Sequence, residues 1–445
     1  MRSPRITRRD KDGSPQDIPS SARRSAGATL LLLFGILALL ADATGAAQDG
    51  LIASPEPGWP QWRGPRRDGI CDDKGLLPQW PEDGPPRLWT IDGLGKGWSS
   101  PIIVRDRLYI TGDVGEDLVI FAFTLDGTPV WRATNGAYWK NPYPGSRACC
   151  AFSEGRLYNM NAHGRVACLD AATGQELWAV DTLERFEGKN ITWAMSECLL
   201  VDGPRVIVTP GGRKALMAAL DKRTGETLWT TPPLEDDVVS HCSPILLRYA
   251  GHRQIVNCSS AHGFGVDADT GRLLWVVPVT NRYGTNVSTP LYGSGRVFFM
   301  TPYDSLGRQY RLAADGTGVD ATLTWDTFID AVTGCAVLVD NVLYAAGYTK
   351  PKWWFGFDWD TGQTKYEMKD FTTGAAIYAD GRLYILDEQG NVGLVKPTAD
   401  GLTIVGRFRL TSEHVRDAWA HPVLLDGRLY LRYHDTLSCY DVTQR

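Results

Sequence analysis

The side chains of this sequence that could do chemistry are few, and they recur at one position of a repeat. Arg147, Glu197, His241, Asn286 and His421, with the tryptophans Trp98, Trp193 and Trp419, each fall a few residues ahead of the first strand of a repeated module. Gathered at one end of an axis, such aromatic faces with an acid, a guanidinium and two imidazoles would hold a planar or sugar-like ligand. The alternative is that the same groups only line a solvated funnel rim. Cys149-Cys150 shares the register of Ser100-Pro101, Ser243-Pro244 and His421-Pro422, where small residues enter a crowded centre, so packing is its first reading. His163-Gly164 and His262-Gly263 occupy corresponding positions and are expected to be turn residues rather than metal ligands. No nucleophile elbow, His-x-x-x-His pair or phosphate-binding glycine loop is present.

The module that must position these residues is strand, turn, strand. It recurs eight times, from Arg107-Leu108-Tyr109 through Arg156-Leu157-Tyr158 and Arg382-Leu383-Tyr384 to Arg428-Leu429-Tyr430. Its spacing, about 40 to 50 residues, is that of propeller blades. A second motif follows three of the modules: Asp170-Ala171-Ala172-Thr173-Gly174 leads to Trp178, Asp221 to Trp229 and Asp267 to Trp275, all as Asp-x-x-Thr-Gly-x-x-x-Trp, with degenerate copies at Leu125-Asp126-Gly127 to Trp131 and at Asp358 to Tyr366. The Asp and Thr oxygens can satisfy turn amides, glycine accepts a positive φ, and the tryptophan can bury a flat face against the next blade. This motif predicts stability, not a ligand cage. Trp353-Trp354-Phe355-Gly356-Phe357 likewise suits a buried strand.

The ends of the array are complementary. The last module stops after Leu437-Ser438-Cys439-Tyr440-Asp441 with no outermost strand, while Arg87-Leu88-Trp89-Thr90-Ile91 is an outermost strand with no blade. Pairing the two closes the ring and hides an edge. The fold class predicted is therefore all-β, an eight-bladed propeller of four-stranded antiparallel blades over residues 85–445, closed by the N-terminal strand. Residues 48–84 are rich in Pro and Gly, and Trp59-Pro60-Gln61-Trp62-Arg63-Gly64-Pro65 is expected to pack across the ring as an ordered cap.

Residues 1–47 read differently. A leader bearing Arg2, Arg5, Arg8, Arg9, Lys11, Arg23 and Arg24 precedes an uncharged apolar run from Ala26 to Ala41, which is an export signal cut near Ala43 or Ala46, or else a retained N-terminal anchor. Either outcome puts the body outside the inner membrane, in the periplasm or cell envelope, with no other membrane contact. The formal charge of −5 becomes about −8 without the basic leader, and an acidic body with no basic stripe excludes nucleic acid as a partner.

On the repeat and its Asp-x-x-Thr-Gly-x-x-x-Trp turn, residues 85–445 resemble the quinoprotein-like propellers, the pyrroloquinoline-quinone-like repeat family, and Trp59–Pro65 with the ending from Trp419-Ala420-His421-Pro422 to Asp441 resembles an exported bacterial subgroup of it. The family includes quinone dehydrogenases and a non-catalytic outer-membrane assembly scaffold, so the resemblance implies fold more than activity. Within it, Cys149 and Cys150 would correspond to an adjacent disulfide beside the cofactor, and pyrroloquinoline quinone with calcium would be required. Where the resemblance implies an acidic calcium ligand, however, the chain reads Thr209-Pro210-Gly211-Gly212-Arg213-Lys214, and no Cys-x-x-Cys-His haem site is present. The expectation is a monomeric binding or scaffold module for an envelope protein or a carbohydrate, without cofactor or metal. A quinone-dependent alcohol or sugar dehydrogenase is the alternative.

Overall fold

The computed structural model describes residues 48–303, 305–315, 318–349, 351–399 and 401–444; the export segment predicted at 1–47 lies outside them. Eight antiparallel sheets follow one another along the chain, each with a core of four strands. Blade one is Ile102–Val104, Arg107–Val114, Asp117–Thr124 and Pro129–Ala137, and blade two is Ala151–Ser153, Arg156–Met160, Arg165–Asp170 and Glu176–Asp181. Blades three to seven begin at Leu200, Ile245, Leu291, Val337 and Gly374. Blade eight holds only Val423–Leu425, Arg428–Tyr433 and Thr436–Asp441 from its own repeat, and Arg87–Ile91 supplies its outermost strand. The predicted closure is thus the observed one, with Trp89 opposite Cys439.

The turn motif explains how neighbouring blades grip. In blade two the Asp170 carboxylate accepts from Ala172 N at 3.0 Å and from Thr173 N and Oγ1 at 2.9 Å, which closes the turn between third and fourth strands. Gly174 there has φ +75°, and a Cβ on it would stand 2.6 Å from the Trp131 ring of blade one. The pairing repeats around the ring: Gly225 receives Trp178, Gly271 receives Trp229, and Gly127 receives Trp89 across the closure. Several of these indoles also donate Nε1 to a carbonyl of the next blade, Trp131 to Ala171 at 3.1 Å, Trp178 to Lys222 at 3.1 Å and Trp89 to Leu125 at 3.0 Å. Each glycine is therefore the seat of the previous blade's tryptophan. The strand Trp354–Asp358 is buried, as its composition predicts.

Residues 50–71 run through the centre and touch the start of every blade. Ile103 N donates to Trp59 O in blade one and Phe152 N to Pro60 O in blade two, both at 2.9 Å. Arg67 donates to Cys198 O and Leu199 O at 2.7 and 3.0 Å in blade three. Gly50–Leu51 pairs along blade four, and Trp62 Nε1 donates to Thr289 Oγ1 at 2.8 Å ahead of blade five. Arg63 Nη2 donates to Ala336 O at 2.6 Å ahead of blade six, Ile70–Cys71 adds a parallel strand to blade seven, and Arg63 Nη1 lies 3.5 Å from His421 Nδ1 ahead of blade eight. A segment that touches, in every blade, the inner strand or the loop entering it occupies the axis, so the expected cap is a plug. Arg63 and Arg67 are 2% and 1% exposed and make their polar contacts with carbonyls, a side-chain amide and an imidazole rather than a carboxylate.

Candidate functional site

The plug closes one end of the axis, and the loops entering the inner strands build a funnel at the other. Its cavity is about 280 Å³ and has Trp62 of the plug among its lining residues. Trp62 is positioned by its bond to Thr289 and lies 4.4 Å from the His421 ring. Trp98 and Trp419 pack ring against ring at 4.9 Å with a tilt of 35°, and Tyr143 continues the row against Trp419 at 5.8 Å and 35°. These three rings form one wall shared with an adjoining cleft of about 540 Å³ that reaches His414 and Arg416. Trp98 is oriented by donating Nε1 to Asp417 O at 3.2 Å, and Trp419 by donating to Glu388 Oε1 at 2.8 Å. Burial pushes the Glu388 carboxyl up to about 7. Trp193, Tyr303 and Tyr348 complete the aromatic lining.

Polar groups interrupt this surface sparingly. His241 receives or gives one hydrogen bond at Nδ1, to Ser196 Oγ at 2.8 Å, and burial followed by the Arg147 charge lowers it to about 3, so the imidazole is neutral. Arg147 Nη1 donates to Gly145 O at 2.7 Å and Nη2 to Tyr143 O at 2.5 Å, and its guanidinium stands 5.6 Å from the Trp98 ring centre. Burial lowers Arg147 to about 10, against the pull of Asp113, which leaves it charged at neutral pH. Hydroxyls of Ser196, Ser243, Thr285 and Thr289 add neutral polarity. The arrangement can stack a ring, hydrogen-bond its edge and meet one negative group.

Of the eight residues predicted for a rim, the structure brings five to the cavity: Trp98, Arg147, Trp193, His241 and Trp419. The other three turn into the protein. Glu197 accepts from Thr209 N at 2.9 Å and Thr209 Oγ1 at 2.7 Å, and burial raises its carboxyl to about 7. Asn286 donates to Val279 O and Ser259 O, both at 2.7 Å. His421 contacts Arg63 and the Thr333 carbonyl beneath Trp62. Cys149 and Cys150 are buried free thiols packed between blades one and two, with Cys149 N donating to Cys198 Sγ at 3.2 Å. Arg213 and Lys214, which stand where the resemblance implies an acidic calcium ligand, pair with Glu187 at 2.8 and 3.0 Å on the outside. His163 does sit in a turn, whereas His262 opens a strand and its Nδ1 pairs with Asp237 at 3.0 Å. Sequence reasoning missed Trp62, because it lies outside the repeat. It also missed Tyr303 and Tyr348, whose signal was an aromatic just after the second strand of two successive blades.

The comparisons with known proteins fall on both sides of the sequence expectation. The chain is 24% identical over 328 residues to the outer membrane protein assembly factor BamB of Yersinia pestis, covering 68% of this chain and 75% of that one. It is 29% identical over 227 residues to a quinohemoprotein alcohol dehydrogenase, ADH-IIG, of Pseudomonas putida, covering 45% of this chain and 29% of that one. It therefore spans less than a third of the dehydrogenase's length. By structure it matches BamB from Moraxella catarrhalis with a TM-score of 0.57 at 13% identity, over 81% of this chain and 98% of that one. The quinohemoprotein alcohol dehydrogenase from Comamonas testosteroni matches with a TM-score of 0.61 at 13% identity, over 87% and 81%. These structural likenesses concern the fold alone. A family model described as outer membrane protein assembly factor BamB matches residues 115–365, more than half of the sequence, and the chain belongs to that family of pyrroloquinoline-quinone-like repeat propellers.

Proposed function

We propose that this chain is a non-catalytic binding module of the cell envelope, a monomer whose funnel takes a ring of a carbohydrate ligand while the rigid disc offers faces to an envelope protein. The observation that carries this reading is the wall of Trp98, Trp419 and Tyr143, three rings inclined by only 35° at each step, beside neutral hydroxyls and a neutral imidazole. Flat aromatic area suits the C–H face of a sugar, and a polar edge of few, fixed groups suits its hydroxyls. A neutral His241 lowered to about 3 is a poor general base, and Glu197 spends both oxygens on Thr209, which supports binding over catalysis. The protein-partner half rests on the Yersinia relative, whose name makes it an assembly factor. The test is calorimetric titration with neutral and acidic oligosaccharides. Saturable binding that Trp193→Ala weakens at least tenfold is expected, and no saturable binding to the panel would refute the carbohydrate reading.

A quinone-dependent dehydrogenase is the second reading, favoured by the match to the Pseudomonas enzyme. Aromatic walls and Arg147 would suit a planar acidic quinone, but calcium asks for six to eight oxygen ligands. The cavity lining offers one carboxylate, Asp417, 3.6 Å from the His414 imidazole. Among the described residues no group of three His, Cys, Asp or Glu side chains has the geometry to hold a metal. The residues do not fit that pair of cofactors. Adding pyrroloquinoline quinone with Ca²⁺ decides it: a stoichiometric bound chromophore with dye reduction would replace the binding reading.

A further inference from the structure

Beneath the funnel wall, two thiols of blade four meet. Cys242 lies in the loop that leads into the strand Ile245–Tyr249, and Cys258 ends the next strand, His252–Cys258. Their Sγ atoms are 2.8 Å apart and both residues are 2% exposed. That spacing is closer than unbonded sulfurs rest, and a disulfide needs about 2.05 Å. The backbone here is fixed by contacts independent of the sulfurs. Ser240 Oγ donates to Cys258 O at 2.6 Å and accepts from Cys242 N at 3.1 Å, so the loop is already tied to the strand that carries its partner.

We propose that Cys242 and Cys258 are joined by a disulfide when the protein folds in an oxidising compartment. The oxidant is a small-molecule disulfide. One cysteine thiolate attacks a sulfur of that disulfide, forming a mixed disulfide and expelling one small thiolate. The second cysteine thiolate then attacks the cysteine sulfur of the mixed disulfide and expels the other. Two electrons pass to the oxidant, and the two protons given up by the cysteines end on the two released thiols. In the finished fold both sulfurs are closed off, and burial holds the Cys258 thiol well above its ordinary value, so the exchange precedes completion of blade four. Once made, the bond is sheltered from external thiols. It would staple the loop bearing His241 and Ser243, which both line the funnel, onto the blade.

Cys335 tests the assignment, because it lines the same cavity and its sulfur accepts from Thr289 N at 3.4 Å. The full chain is refolded in buffer with oxidised and reduced glutathione, then unfolded in urea with iodoacetamide and mapped by mass spectrometry. Seven of its nine cysteines should take the label without reductant, a peptide pair should join Cys242 to Cys258, and nine labels should appear after reduction. Nine labels without reductant, or a bridge through Cys335 or between Cys149 and Cys150, would overturn the proposal. The Cys242→Ser, Cys258→Ser double variant supplies the control. Its melting midpoint should be the same after oxidising or reducing refolding, whereas that of the parent should be several degrees higher after oxidising refolding; equal parent midpoints would also overturn it.

Discussion

Trp89 and Cys439 face each other across an antiparallel register, although one stands before the first blade and the other in the last. The pair joins the two ends of the repeat, and the Trp89 ring goes on to seat on Gly127 of blade one. This one strand hides the open side of Thr436–Asp441, an edge that would otherwise be free to pair with another chain. A fragment of residues 85–445 keeps that strand, and a fragment of residues 92–445 lacks it. Both lose the plug, so their difference isolates closure. The shorter fragment should sediment or elute as aggregate at concentrations where the longer remains monomeric by gel filtration, and identical elution would show that closure does not protect the edge.

Gly174→Ala tests the grip between blades. The new methyl would meet the Trp131 ring at 2.6 Å on a backbone of φ +75°, so strain and collision act together. A loss of about 2–4 kcal/mol in urea unfolding is expected. Asp170→Ala, which removes only turn bonds made in solvent, should lose about 1 kcal/mol. If the two variants unfold at the same urea concentration, the glycine is a turn residue and nothing more.

What the sequence disclosed follows from where its information repeats. Trp178, Trp229 and Trp275 were legible because the same spacing returns in three successive blades, so each confirms the others. Trp62 belongs to no repeat, and only folding reveals that its short segment threads the axis and lines the cavity. Glu197, Asn286 and His421 were placed at the right level of the funnel but on the wrong side of its wall. Position in a module gives height along the axis. The direction of a side chain depends on which buried amide or carbonyl lacks a partner, as Thr209 N does without Glu197 and Val279 O without Asn286.

His421 makes acid stability a measurable consequence of the plug. Burial and the neighbouring Arg63 charge lower its imidazole from 6.5 to about 3. In the unfolded chain it protonates below about 6.5, whereas the folded chain refuses the proton until about 3, so its contribution is present above pH 6.5 and is lost as pH falls toward 3. The slope from this one group approaches 1.4 kcal/mol per pH unit in that window. His421→Gln keeps a donor for Thr333 O and an acceptor for Arg63 without a titrating ring. Wild type and variant should therefore differ by an amount that shrinks or reverses on acidification from pH 7 to pH 4, and a constant difference in urea unfolding would refute the assignment.

Trp419 separates a binding wall from a structural one. Its indole lies between Trp98 and Tyr143 and donates to Glu388, so Trp419→Ala removes stacking area and leaves a buried carboxyl oxygen unpaired. Trp419→Phe keeps an aromatic face and loses only the N–H. If the wall holds a sugar ring, affinity for an oligosaccharide should fall at least tenfold in Trp419→Ala and less than threefold in Trp419→Phe, since about 1.4 kcal/mol of stacking equals a factor of ten. If the indole serves only to anchor Glu388, both variants should lose the same thermal stability and bind alike. Running the titrations and melts on one preparation of each variant distinguishes the two, because loss of the N–H affects stability in both variants while loss of the ring face affects binding in Trp419→Ala alone.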